Sequence, residues 1–130
     1  MPNTLQKPER LRSKKLFDQL FADGQTLANY PVRLVWTEAE LPEPNVPVQV
    51  AFSVPKRRFK RAVDRNRIKR QLREVYRTNK SELYTVLRDR QKTIALAVLF
   101  TGKEGPEFVE LEKQLILTLT RLRRKYEATD

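Results

Sequence analysis

The chain has 130 residues, and its 27 Lys and Arg against 16 Asp and Glu give a formal net charge of +11. It contains neither cysteine nor histidine, which excludes a disulfide framework, metal centres ligated by Cys or His, thiol catalysis and a Ser–His–Asp triad. Its few glycines, Gly24, Gly102 and Gly105, cannot write a dinucleotide or Walker phosphate loop, and so large a basic excess favours polyanions, nucleic acid before anionic membrane.

The length predicts one domain over 1–130, with an ordered core over about 8–126. The opening stretch MPNTLQKPERLRSKK has no apolar export segment and no run approaches a membrane span, so a cytoplasmic location is expected. Lys7, Arg10, Arg12, Lys14 and Lys15 make this segment basic. A first helix is predicted from Ser13 as N-cap to Gly24 in the C′ position, with Leu16, Phe17, Leu20 and Phe21 forming two i,i+4 pairs. Val32, Leu34 and Trp36 then alternate with Arg33, Val35 and Thr37 as a half-buried strand. The proline-rich stretch Leu41–Pro47 reads as a loop. Val48, Val50, Phe52 and Val54 alternate as a second strand that Pro55 ends.

A second helix is predicted from about Lys60 to Lys80, and Lys92–Phe100, apolar on both faces, reads as a central strand. Gly102 to Pro106 turns the chain into a last helix, where Phe108, Leu111, Leu115, Leu119, Leu122 and Tyr126 fall within roughly 80° of arc. The order helix–strands–helix–strand–helix defines an α+β protein with one sheet and three helices.

The segment Lys56–Arg73, KRRFKRAVDRNRIKRQLR, holds ten Lys or Arg in eighteen residues against one acid, Asp64. On a helical wheel Ile68, Leu72, Val75 and Tyr76 share an apolar arc. Asn66, Arg67, Lys69, Arg70, Arg73 and Arg77 occupy much of the other side, broken by Glu74. Arginine's planar fork grips phosphate oxygens bidentately and stacks on bases, which suits structured nucleic acid. Two blander readings stand beside this one: a merely solvated face, and a basic amphipathic membrane helix. Like charges at i,i+4, Arg65–Lys69 and Lys69–Arg73, repel unless a polyanion relieves them, which weighs against the first. The narrow apolar arc without Trp or Phe at its border weighs against the second.

The run AVDRNRIKRQLR at Ala62–Arg73, centred on Arg65-Asn66-Arg67 and preceded by Ser53-Val54-Pro55-Lys56-Arg57, resembles the bacterial ribonuclease P protein family. This is the protein subunit of the ribonucleoprotein that removes 5′ leaders from precursor tRNA. The resemblance extends from Leu11 to about Lys125 and includes LRSKKLFDQLFADG as the first helix. It implies one mixed sheet of about four strands and a left-handed crossover, as in the ribonuclease P protein fold, which is shared with a ribosomal-protein domain. The fourth strand is then short, near Leu27–Pro31 or within the loop region. The general handedness rule alone predicts the opposite crossover.

The resemblance also implies roles for residues. Lys56, Arg57, Arg61, Arg65, Asn66, Arg67, Lys69, Arg70 and Arg73 match positions that contact the RNA subunit. Phe17 and Phe21 match aromatics in the wall of a cleft for the single-stranded leader, with Arg33, Arg65, Asn66 and Arg73 as further leader contacts. Read from spacing alone, Phe17 and Phe21 fit either that wall or the core. Some family members carry an aromatic where this chain has Val35, and Trp36 beside it shares the inward face of Val32 and Leu34.

No catalytic or metal-binding cluster is legible. A nuclease acting alone needs clustered carboxylates around metal, whereas Glu38, Glu40 and Glu43 fall on a loop and Glu104, Glu107, Glu110 and Glu112 at a helix start, where they complement the dipole. The resemblance implies that the RNA subunit performs the Mg²⁺-dependent hydrolysis and that the protein carries no cofactor of its own. Its partners are then RNase P RNA and precursor tRNA, with no membrane or DNA. The rivals are a ribosomal-type RNA-binding protein, which would not stimulate cleavage, and a metal nuclease acting alone.

Overall fold

A computed structural model describes residues 5–43 and 45–127. Pro44 of the proline-rich loop and the two chain ends lie outside the described residues. In chain order the elements are a 3₁₀ turn (Lys7–Glu9), α1 (Lys14–Asp23), β1 (Gln25–Asn29), β2 (Val32–Glu38), β3 (Val48–Ser53), α2 (Ala62–Asn79), α3 (Ser81–Asp89), β4 (Ile94–Phe100) and α4 (Phe108–Glu127).

The sheet runs β1-β2-β4-β3. β1 and β2 are antiparallel, as are β2 and β4, and β3 lies parallel to β4 through the crossover that carries α2 and α3. β4 is central, which explains why both its faces are apolar: Ile94, Leu96 and Val98 are fully buried on one side and Ala95 on the other. The fourth strand is the short β1, a hairpin partner of β2 with Asn29 paired to Val32.

The main core lies between one face of the sheet and α2, α3 and α4. Leu34, Trp36, Val50 and Leu96 meet Ile68, Leu72, Val75, Leu87, Leu111, Leu115 and Leu122 there. All four residues expected on the apolar arc of α2 are buried, and each such side chain contributes roughly 1.5–3 kcal/mol. On α4 the expected stripe is buried except at Phe108, which is 39% exposed because it opens the helix beyond the sheet's cover. The opposite face of the sheet carries α1 and the segment before it, through Leu11 and Leu20 against Val35, Ala95 and Ala97.

Two local details differ from the sequence reading. The structure has a fourth helix, α3, that the sequence pattern does not mark. It follows α2 with only Lys80 between them and buries Leu83, Tyr84 and Leu87. Its end is a Schellman motif in which Lys92 N–H donates to Leu87 O at 2.8 Å and Gln91 N–H to Arg88 O at 3.0 Å. The left-handed C′ residue is Gln91, with φ of 57°, so the usual glycine marker is missing. Gly24 caps α1 with extended backbone, φ −68°, so left-handed freedom is not its purpose. A Cβ there would lie 2.2 Å from Leu20 O and 2.7 Å from Val35 Cγ1; glycine is needed for close approach. The Ser13 cap forms as expected, its Oγ accepting from Leu16 N–H at 3.2 Å.

A buried polar network ties the N-terminal segment to the α2–α3 junction. The Lys80 ammonium donates to Glu9 Oε1, and Tyr84 O–H donates to the same oxygen at 2.8 Å. The Tyr76 and Tyr84 hydroxyls are 2.8 Å apart. Burial pushes both tyrosine hydroxyls well above the usual range.

Candidate nucleic-acid interface

α2 is amphipathic, and burial of its Ile68–Leu72–Val75–Tyr76 stripe turns the basic side outward. Arg61, Asn66, Arg67, Arg70 and Arg73 are exposed, while Arg65 and Lys69 are half-buried. The triplet at its start divides into different tasks. Arg65 Nη1 donates to the carbonyls of Phe59 at 2.7 Å and Lys60 at 2.9 Å, so this guanidinium braces the basic turn before the helix. Arg67 Nη2 donates to Asp64 Oδ1 at 2.9 Å, and Arg61 Nε lies 3.7 Å from the other Asp64 oxygen. Asp64 also sits in the first turn, where a negative charge complements the helix dipole. The side chains of Asn66, Lys69 and Arg70 make no hydrogen bond or ion pair among the described residues, Asn66 and Arg70 being exposed and Lys69 half-buried.

The basic turn is held from a second side by Arg58, whose Nη1 donates to Thr101 O at 3.0 Å at the end of β4. Nothing in the sequence distinguishes Arg58 from its many basic neighbours. Lys56 and Arg57 beside it are exposed. Further along α2, the Arg73 guanidinium lies 5.7 Å from the centroid of the Phe52 ring, an exposed cation–π contact worth about 0.5–1 kcal/mol. It holds the basic side of α2 against β3, the edge strand.

The second part of the candidate interface is the sheet face under α1. Register places Arg33 opposite Leu99 and, on the far side of β4, Ser53 opposite Leu99, so the three share one row. The neighbouring row is Val35, Ala97 and Ala51, whose small side chains keep the floor shallow. α1 crosses this face with Leu20 fully buried and Leu16 and Phe17 packed on the cluster's margin. Phe21, one turn beyond Phe17, is 57% exposed and is therefore not core. Arg33 is exposed, while Trp36 is 1% exposed on the opposite face, in the core as expected.

These observations place nearly all the sequence-predicted residues in two adjoining regions. The basic residues lie on α2 and the turn before it, and Phe17, Phe21 and Arg33 on the α1 side of the sheet. Arg65 differs from the rest in spending its guanidinium on backbone carbonyls. Among the described residues no cluster of three or more Asp or Glu side chains could hold a metal ion, and no helix is long and apolar enough to cross a membrane.

A guanidinium-rich helix face at the edge of a sheet whose far side carries the exposed Phe21 beside a half-buried Phe17 defines an α+β protein of the RNA-binding class. The sequence matches the family model described as Ribonuclease P over residues 5–123. It is 37% identical over 119 residues to the ribonuclease P protein component of Porphyromonas gingivalis, covering 91% of this chain and 85% of that one. A second relative of the same description, from Chlorobium phaeobacteroides, is 32% identical over 130 residues, covering 93% of this chain and 89% of that one. The fold is that of solved RNase P proteins from Staphylococcus aureus (TM-score 0.68, 19% identity, 89% of this chain and 96% of that chain) and Thermotoga maritima (TM-score 0.67, 24% identity, 87% and 96%). The chain therefore belongs to the ribonuclease P protein component family. Its members act in tRNA 5′ processing as the protein subunit of the endoribonuclease ribonuclease P, and their partner is RNA.

Proposed function

We propose that this chain works as one domain with two RNA surfaces, α2 binding RNase P RNA and the α1 side of the sheet binding the 5′ leader of precursor tRNA. The first surface comprises Lys56, Arg57, Arg61, Asn66, Arg67, Lys69, Arg70 and Arg73, with Arg65 bracing the turn that presents them. The second comprises Phe17, Phe21 and Arg33, joined by Asn66 and Arg73, and by Arg65 at the N-terminal end of α2. The RNA subunit performs the hydrolysis with its own Mg²⁺, in the cytoplasm.

The observation that carries this reading is the unpaired donor set of Asn66, Lys69 and Arg70 on one side of α2. Left alone, Lys69 repels Arg65 and Arg73 at i,i+4 spacing; set against a phosphate backbone, these cations release its condensed counterions. On the leader surface, bases stack on aromatic faces for about 1–3 kcal/mol each without demanding a sequence, as leaders of varied sequence require. The protein's contribution to catalysis is thus positioning and charge screening at a site where RNA holds the metal.

The test is to titrate RNase P RNA with the wild-type protein and with Lys69→Gln/Arg70→Gln. Binding should weaken, and its salt dependence should become shallower by about one unit for each phosphate that the variant no longer neutralises. Unchanged affinity and slope would remove α2 as the RNA-subunit surface.

A further inference from the structure

Glu9 and Lys80 form the one ion pair among the described residues whose two side chains are both buried, at 7% and 5% exposure. Such a pair adds little net stability, so what it fixes in place is informative. Glu9 Oε2 also accepts from Gln6 N–H at 2.7 Å. The segment then follows the free edge of β3, with Arg10 bridged to Val50, Leu11 N–H donating to Val50 O at 3.0 Å and Gln49 Nε2 to Pro8 O at 3.3 Å. A chain segment this firmly fastened presents its side chains in set positions.

Those side chains are cations. Lys7, Arg10, Arg12 and, from α1, Lys15 line a cleft of about 750 Å³, where Glu40 is the one acidic lining residue among the described residues. All four cations are exposed, and none forms an ion pair among the described residues. The cleft lies on the flank of α1 opposite Phe17 and Phe21, because Lys15 and Gln19 fall on the other side of the Leu16–Leu20 stripe. Among the described residues no aromatic side chain lines it, so it suits phosphates and not stacked bases.

We propose that this cleft is a second contact surface for the RNA subunit and takes its phosphate backbone. The inference rests on the reading that α2 binds RNase P RNA, and continuity with that surface selects the occupant. Arg10 pairs at Val50, and Arg73 of α2 covers Phe52 on the same strand. The cations of the N-terminal segment therefore extend the basic side of α2 around the edge of β3. The leader surface, by contrast, is separated from the cleft by the body of α1.

The test uses the full chain carrying Arg12→Gln/Lys15→Gln, two exposed residues whose side chains have no hydrogen-bond or ion-pair partner among the described residues, so that the fold is kept. Lys69→Gln/Arg70→Gln on α2 is measured in parallel. Affinity for RNase P RNA is read against salt, and affinity of each assembled holoenzyme for precursor tRNA is read with long and short leaders. The Arg12/Lys15 variant should bind RNase P RNA about 5- to 50-fold more weakly with a salt slope shallower by about one to two, and its dependence on leader length should match wild type. Wild-type RNA affinity and slope, with the α2 variant weakened, would overturn the cleft and leave the α2 reading standing. If neither variant is weakened, both fail. A loss confined to long-leader precursor tRNA would assign the cleft to the leader and overturn the proposal as stated.

Discussion

At Gln91 the backbone takes φ of 57° because the Schellman turn after α3 demands a left-handed residue, and a side chain there costs about 1–2 kcal/mol relative to glycine in the same conformation. Gln91→Gly should therefore raise stability, by up to about 1 kcal/mol once glycine's greater unfolded-state freedom is offset; an unchanged or lower urea midpoint would contradict this. Glu9 predicts the opposite sign. Glu9→Gln leaves the Lys80 ammonium buried without its carboxylate, which should lower stability by about 3–5 kcal/mol. Adding Lys80→Met should recover part of that loss, and strict additivity in the double-mutant cycle would argue against a coupled pair. Phe21 separates folding from function. At 57% exposure, Phe21→Ala should leave the unfolding midpoint within about 0.5 kcal/mol while weakening precursor tRNA by about 5- to 150-fold, the equivalent of one stacked base. Mature tRNA, which lacks the leader, should bind the holoenzyme as before; equal loss on both would reject the leader role. The two readings left open by the spacing of Phe17 and Phe21 diverge only in three dimensions. Wheel angles place both on one flank, but whether that flank meets a helix or open sheet depends on how α1 crosses the small residues Ala95 and Ala97, which no local pattern records.

At the scale of elements, strong local chemistry was legible and quiet boundaries were not. α2 announces itself by a dense basic run laid over an apolar stripe, β4 by apolar residues on both faces, and α1 by a Ser13 cap. β1 is short and polar, and only its pairing with β2 makes it a strand. α3 escapes notice in the sequence because nothing punctuates its start or end: Lys80 joins it to α2 in helical conformation, φ −80° and ψ −21°, and Gln91 replaces the expected glycine. The division of labour within Arg65-Asn66-Arg67 was likewise invisible, since Arg65's partners are backbone carbonyls of the preceding turn. The last turn of α4 makes a pH prediction. The Tyr126 hydroxyl, near Glu38 Oε2 at 3.5 Å, is pushed up to about 12 from 10.0, chiefly by burial and then by the Glu38 carboxylate. The folded state thus holds this proton more tightly than the unfolded chain. Its stabilising effect is complete below pH 10 and is lost between pH 10 and 12. Tyr76 and Tyr84 shift in the same direction. The urea midpoint should decline on entering that window; a flat profile from about pH 9 to 12 would contradict the buried, protonated tyrosines.

For the whole molecule, a net charge of +11 concentrated on α2, its preceding turn and the N-terminal segment makes association with RNA an electrostatic event first. If about six to eight phosphates are neutralised, log K should fall against log salt with a slope near −5 to −7; a slope shallower than about −3 would mean that the basic surfaces do not engage the backbone together. The fold supports this by using its two sheet faces differently. One face is closed by α2, α3 and α4 into the core, and the other is left partly open beside α1. The central claim is that the protein positions and screens while RNA cleaves. It is tested most directly by measuring 5′-leader cleavage of a precursor tRNA by a bacterial RNase P RNA at low Mg²⁺, with and without this protein. Strong stimulation by the protein, with no cleavage by the protein alone, is the predicted result. Salt-sensitive RNA binding without stimulation would contradict the account in favour of a purely structural RNA-binding role, and cleavage by the protein alone would contradict the division of labour itself.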